Sequence, residues 1–142
     1  MSVLSKTTDI KNIRIGLLSR SGIVPERSGL NWGQRPRRNG NEAYIAIPIR
    51  YTREGFFPEI GRPFNVNTDC GKKMTLVRCQ QGGKALQSLP HNSLLGLYFR
   101  ERLGVSSGAP VTKSHLLGYG RTDIEMTRVS AEEYYMNFGA PR

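Results

Sequence analysis

Residues 74–89, Met74-Thr-Leu-Val-Arg-Cys-Gln-Gln-Gly-Gly-Lys-Ala-Leu-Gln-Ser-Leu89, decide the architecture of this chain. Two β-compatible runs, 74–80 and 84–89, flank Gln81-Gly82-Gly83, where glycine reaches turn conformations at no steric cost, so the stretch predicts an antiparallel hairpin. Alternation is imperfect around Arg78, and the tip is polar and basic. A hairpin of this kind argues against a parallel, doubly wound sheet, and its flanks add strands rather than strand–helix alternation.

Upstream, residues 13–19 predict a first strand and residues 43–49 a second, with Ile45, Ile47 and Ile49 on one face. Pro48 marks an edge or the end of pairing. Between them, residues 26–42 carry Gly, Pro and Asn at a density that excludes a helix. In residues 51–64, two Gly and two Pro allow only a short helix, and Phe56, Phe57, Ile60 and Phe64 are expected to plug a core from coil. Residues 65–71 read as a polar turn. Downstream, residues 93–103 predict the one convincing helix: Asn92 or Ser93 can cap it, Leu94, Leu95, Tyr98, Phe99 and Leu103 share a face, and Gly104 stops it. Residues 111–117, 124–129 and 133–138 read as strands. The expected fold is mainly β: about seven strands in a mostly antiparallel barrel or pseudobarrel, with one or two short helices, spanning 1–142 as a single domain.

Composition narrows the function. The 142 residues hold 21 Lys plus Arg against 11 Asp plus Glu, a formal charge of +10. The surplus lies wholly in residues 1–100, and the last 42 residues are neutral. A polarised basic surface is the electrostatic footprint of a nucleic-acid binder, because phosphate neutralisation supplies most non-specific affinity; solubility alone is the bland alternative. No apolar run approaches the ~18–20 residues of a membrane span, and no secretory signal opens the chain, so a soluble, cytoplasmic protein is expected. Cys70 and Cys79 are too few for a disulfide framework or a zinc site.

No active site emerges. Asp69-Cys70-Gly71-Lys72 loosely resembles the carboxylate and lysine of metal-dependent nucleases, but Cys70 stands where a second acid is needed. A small metal-dependent nuclease using Asp69, Glu59 and Lys72 stays open as an alternative, as does a basic RNA-binding module. No catalytic residue, metal or cofactor is expected.

Base reading requires Arg or Lys for guanine, Asn or Gln for adenine, and Asp or Glu for cytosine. Two loops meet this inventory. Residues 27–42 carry Asn31, Gln34, Arg35, Arg37, Arg38, Asn39, Asn41 and Glu42, and residues 78–87 carry Arg78, Gln80, Gln81, Lys84 and Gln87. Trp32 reads either as a stacking platform or as an anchor against the core. In the loop at residues 119–123, Arg121 and Asp123 can pair with each other or with DNA.

Four stretches carry a family resemblance: Ser28-Gly-Leu-Asn-Trp-Gly-Gln-Arg35 leading into Asn41-Glu-Ala-Tyr-Ile45; Phe56-Phe57-Pro58; Asn92-Ser-Leu-Leu-Gly-Leu-Tyr-Phe-Arg-Glu-Arg-Leu-Gly104; and Leu117-Gly-Tyr-Gly-Arg-Thr-Asp123. From about residue 12 to 138 the chain resembles the C-terminal part of NgoFVII-type restriction endonucleases, which are related to BfiI. That part is similar to the plant B3 DNA-binding domain, a seven-stranded pseudobarrel whose two arms grip the major groove. The resemblance implies an N-arm at about 28–42 and a C-arm at about 78–87, the two loops already selected. The family's phospholipase-D-like nuclease uses a His-x-Lys motif, and here Ser93 and Leu117 follow His91 and His115 at the second position. The chain is therefore expected to be a bacterial recognition module without its cleaving module, either a fragment or a partner of a nuclease domain or subunit.

The expected partner is double-stranded DNA, with a G·C-rich site suggested by the arginines. Arg35, Arg37 and Arg78 would take guanine, Glu42 or Asp69 would accept from cytosine, and Gln34, Gln80 and Gln81 would fill mixed positions. Arg27, Arg50, Arg53, Arg62, Lys72, Lys73, Lys84 and Arg121 are the expected phosphate contacts, which position without specifying.

Overall fold

The computed structural model of the chain describes residues 11–52 and 55–140. Seven strands, β1 (Asn12–Gly16), β2 (Ile45–Ala46), β3 (Phe64–Thr68), β4 (Lys73–Cys79), β5 (Ala85–Leu89), β6 (Asp123–Ser130) and β7 (Glu133–Asn137), form one sheet in the order β1-β6-β7-β3-β4-β5-β2. Three helices accompany it: α1 (Ile49–Thr52), α2 (Ser93–Leu103) and α3 (Lys113–Tyr119). Every neighbouring pair is antiparallel except β3 with β7. The sheet curls into a half-barrel consistent with a B3-like pseudobarrel, as the sequence predicts.

The alternating pattern of β1 and β3 sends Ile13, Ile15, Phe64 and Val66 inward and the intervening residues to solvent. An aromatic cluster fills the interior. Tyr134 lies 4.8 Å from Phe64 and 5.8 Å from Phe57, ring centroid to centroid, and its hydroxyl donates to the Phe56 carbonyl. Burial pushes the Tyr134 phenol up to about 12. Helix α2 adds Leu95, Tyr98 and Phe99, with Phe99 edge-on to Phe138 at 5.0 Å.

Several local expectations are corrected. Residues 65–71 do not begin as a turn: Asn65 and Asn67 occupy the solvent face of β3, and pairing with β4 and β7 outweighs their turn preference. Residues 111–117 are not a strand. Thr112 caps α3 in a reciprocal box with His115, and Leu116 is the helix's buried residue. Ile60 is 54% exposed rather than a core plug. The second strand pairs over two residues only, after which Pro48 ends it. Helix α2 has the expected span and a left-handed Gly104 after it, but the Asn92 side chain accepts no capping hydrogen bond. The Leu95 amide is satisfied from β5 instead, by Ser88 Oγ at 2.9 Å.

Candidate nucleic-acid interface

The N-arm is a braced loop. A 3-10 turn over Gly29–Gln34 opens it, and Gly33 N–H donates to the Glu42 carbonyl at 2.9 Å, pinching its two ends together. A Cβ on Gly33 would stand 2.0 Å from the Asn39 carbonyl oxygen, so no other residue fits this pinch. Gln34 Nε2 donates to the carbonyls of Gly40 and Gly108 at 3.1 and 3.0 Å. Asn41 donates to Ser107 Oγ at 2.8 Å and accepts from Gly108 N–H at 2.7 Å, while Asn39 accepts from the Asn41 amide at 2.8 Å. Residues 106–108, which no base-reading inventory would select, are the arm's buttress. Gly96 of α2 meets its base so closely that a Cβ would lie 1.7 Å from the Asn41 carbonyl oxygen.

The outer face of this arm is cationic. Trp32 lies half-buried and edge-on to Tyr44, with ring centroids 5.8 Å apart. The guanidinium carbons of Arg35 and Arg38 stand 4.1 and 4.7 Å from its ring centroid. At an exposed site each such contact contributes about 0.5–1 kcal/mol. Arg35 Nε also donates to the Arg27 carbonyl at 2.9 Å, and Arg38 pairs with Glu42 at 2.8 Å. Trp32 is thus neither a bare stacking platform nor simply a core anchor. The signal was present in the sequence: arginines three and six residues after the tryptophan, the first one 3-10 turn onward.

The C-arm is the β4–β5 hairpin with a 3-10 turn over Gln81–Gly83. Arg78 lies at its base, half-buried, donating to the carbonyls of Gly83 and Pro58 at 3.3 Å and Thr52 at 3.5 Å. That ties the hairpin to the segment after α1. Gln80 and Lys84 are exposed at the tip, and Gln87 is half-buried. Among the described residues, the only non-glycine positions with positive φ are Arg37 (67°) and Gln80 (68°), one in each arm. Such backbone is strained by roughly 1–3 kcal/mol, and strain of this kind clusters at functional sites.

The sheet brings the arms together. β2 is an edge strand paired only with β5, through Ile45 with Leu86 and Ala46 with Ala85, and Ile47 N–H adds a bond to the Lys84 carbonyl at 2.7 Å. The N-arm feeds into one end of β2 and the C-arm tip lies at the other. Arg50 follows on α1, exposed and 4.7 Å from the Tyr51 ring. Exposed Arg27, Arg35 and Arg37 precede β2, and exposed Arg50 and Lys84 lie beyond its other end.

Other predicted residues go elsewhere. Asn31 is 1% exposed, and its amide is used up inside: Nδ2 donates to the carbonyls of Pro25 and Val111 at 2.8 and 2.7 Å, and Oδ1 accepts from Val111 N–H at 2.8 Å. It offers nothing to a base. Asp69 accepts both terminal nitrogens of Arg102, at 3.0 and 2.7 Å, and the Phe138 amide at 2.9 Å. Burial pushes its carboxyl up, but these hydrogen bonds outweigh that and hold it below the usual carboxylate value. Asp69, Lys72 and Lys73 also lie at the end of β4 remote from the C-arm, about 20 Å away at strand rise. Lys72 faces Glu101 at 3.7 Å. Arg62 is held by Glu132 at 2.6 Å, and Arg121 pairs with Asp123 at 2.8 Å and donates to the Gly139 carbonyl. Arg53 and the side chain of Gln81 lie outside the described residues.

The residues of the nuclease alternative are each engaged by other side chains, Asp69 by Arg102, Lys72 by Glu101 at 3.7 Å and Glu59 by Arg62 at 3.7 Å. Among the described residues no three His, Cys, Asp or Glu side chains are grouped to hold a metal ion, and no helix is long and apolar enough to cross a membrane. Cys70 and Cys79 are free thiols.

A curled seven-stranded half-barrel of this kind is consistent with a B3-like pseudobarrel, and the family match sets its class as a DNA-binding domain. Residues 5–130 match the family of the NgoFVII C-terminal B3-like DNA-binding domain, and the chain belongs to that family. No curated protein matches the sequence. Among solved structures, the chain is similar to the hypothetical Arabidopsis thaliana protein At1g16640.1, at 10% identity and a TM-score of 0.44 over 91% of this chain and 90% of that one.

Proposed function

We propose that this chain recognises a specific sequence in double-stranded DNA, with the N-arm (28–42) and C-arm (78–87) entering the major groove from one sheet edge. One observation supports the reading: the two loops chosen for their base-reading side chains, 36 or more residues apart in the chain, are joined through the β2–β5 pair, and each carries exposed cations. From residue 43 to 47 the edge between their bases runs about 13 Å at strand rise, close to the ~12 Å width of a B-form major groove. Arg35 and Arg37 are assigned to guanine and Gln80 to a mixed position. Arg27, Arg50 and Lys84 bind phosphate, and Arg78 supports the C-arm while keeping hydrogens free on its terminal nitrogens. A G·C-rich site follows from the arginines. The family points to a target-recognition role alongside a nuclease domain or subunit in bacterial restriction.

Selection from a random duplex library, followed by titration of the selected and unselected pools at several salt concentrations, tests this. The selected pool should bind at least tenfold tighter. Neutralising about five or six phosphates sets a slope of log affinity against log salt near −5. Equal affinity for both pools, or stronger binding of single-stranded RNA of equal length, would refute duplex sequence recognition.

A further inference from the structure

We propose that Trp32 is a positioning residue for DNA recognition: its indole, together with the Arg27 carbonyl, presents the terminal nitrogens of Arg35 as a fixed two-pronged donor. The inference rests on the reading of residues 28–42 as a DNA-contacting arm. An exposed arginine on a loop samples many rotamers, and fixing them on binding costs affinity that is not recovered. Here Arg35 is already held at two points. Its guanidinium carbon stands 4.1 Å from the Trp32 ring centroid, and Nε donates to the Arg27 carbonyl at 2.9 Å. Neither contact uses the two terminal nitrogens, the pair that meets guanine O6 and N7. Arg38, 4.7 Å from the same ring, is treated differently because Glu42 takes its terminal nitrogen Nη1 at 2.8 Å. Of the two arginines on the indole, Arg35 is the one whose fork no described residue occupies. Trp32 is itself held edge-on to Tyr44, at the entry to the paired β2. The platform therefore inherits the rigidity of the sheet.

The experiment uses the whole chain with two probes, the library-selected duplex pool and the unselected pool, and reads the ratio of the two affinities together with the salt slope. Trp32→Leu removes the ring face and keeps apolar bulk, and it should cut the ratio about tenfold while binding of the unselected pool changes less than twofold. Trp32→Phe retains a ring face and should restore the ratio to within about threefold of the parent. Arg35→Lys keeps the charge but loses the stacked fork, so it should reproduce the Trp32→Leu loss at an unchanged salt slope. Because Arg35 is exposed, this variant tests the fork even if Trp32→Leu does not fold, and a loss in Trp32→Phe greater than threefold then overturns the role of the ring face. An unaltered ratio in Arg35→Lys, or equal losses on both pools for Trp32→Leu, overturns the proposal. If Arg35→Ala combined with Arg38→Ala leaves both pools bound as by the parent, the arm reading itself fails. A loss in that double variant with none in Trp32→Leu sinks the role of Trp32 alone.

Discussion

Asp69 on the β3–β4 turn and Arg102 on α2 are locked in a two-point ion pair, with Oδ1 and Oδ2 accepting from Nη1 and Nη2 at 3.0 and 2.7 Å. Both side chains are less than a fifth exposed, and Tyr98 and Tyr119 hydroxyls complete the arginine's shell at 2.7 and 2.9 Å. The carboxylate that resembled a nuclease ligand is a strut between the sheet and the helix behind it.

The strut makes stability depend on pH. The folded Asp69 carboxyl titrates below its ordinary value of 3.8, so its contribution is complete above that value and is lost as pH falls through the lower folded one. Asp69→Asn should cost on the order of 1–3 kcal/mol at pH 7, a difference that shrinks below pH 4. Urea unfolding of both proteins at pH 7 and pH 3 measures it, and DNA affinity per folded molecule should stay the same.

Arg100 is a buried cation without a carboxylate partner among the described residues. Its donors reach the carbonyls of Ala109, Gly96 and Leu30 at 2.8, 3.1 and 3.2 Å, beneath the N-arm. Arg100→Met fills the volume but leaves the Ala109 and Leu30 carbonyls without this donor, and should cost on the order of 3 kcal/mol. A shift in the urea midpoint reads this directly; an unchanged midpoint would mean the carbonyls find other donors.

Gly96→Ala tests the seat of the N-arm. Helix propensity alone predicts about 1 kcal/mol of stabilisation. The collision with the Asn41 carbonyl reverses the sign, and a loss of roughly 1–3 kcal/mol is expected. Thermal melting gives the sign, and binding of the selected duplex pool should weaken because the arm's base must shift.

The length of β4 separates two lysines of equal charge, Lys84 at the hairpin tip and Lys72 before the strand begins. Lys84→Ala should weaken selected and unselected DNA alike and reduce the salt slope by about 1. Lys72→Ala, at the far end of the strand, should leave both affinities and the slope unchanged. Paired salt titrations of the two variants distinguish the arms from the rest of the basic surface.

Much of the fold was legible because it is local. The 74–89 hairpin announces itself through its Gly-Gly turn, and α2 through its apolar spacing and Gly104 stop. The total of seven strands agrees because two differences offset: the pattern at 111–117 predicts a strand where α3 forms, and residues 65–71 predict a turn where β3 forms. Both turn on burial. Asn65 and Asn67 are acceptable on a strand whose outer face is wet, and Leu117, at 59% exposed, never had the inward partner that a strand there would need.

By itself the sequence determined a basic, mainly β chain with two arginine- and glutamine-bearing loops, and its motifs carried the family resemblance. Only the tertiary structure decided which polar side chains stay exposed and which hold the protein together. Asn31 has the side chain of a base contact, yet it satisfies Val111 from 80 residues away, and Asp69 finds Arg102 across 33. A buried donor or acceptor must be paired, and its partner is set by how distant segments pack, information that no window along the chain contains. The same packing joins the arms through a two-residue strand, giving two separate loops one shared edge.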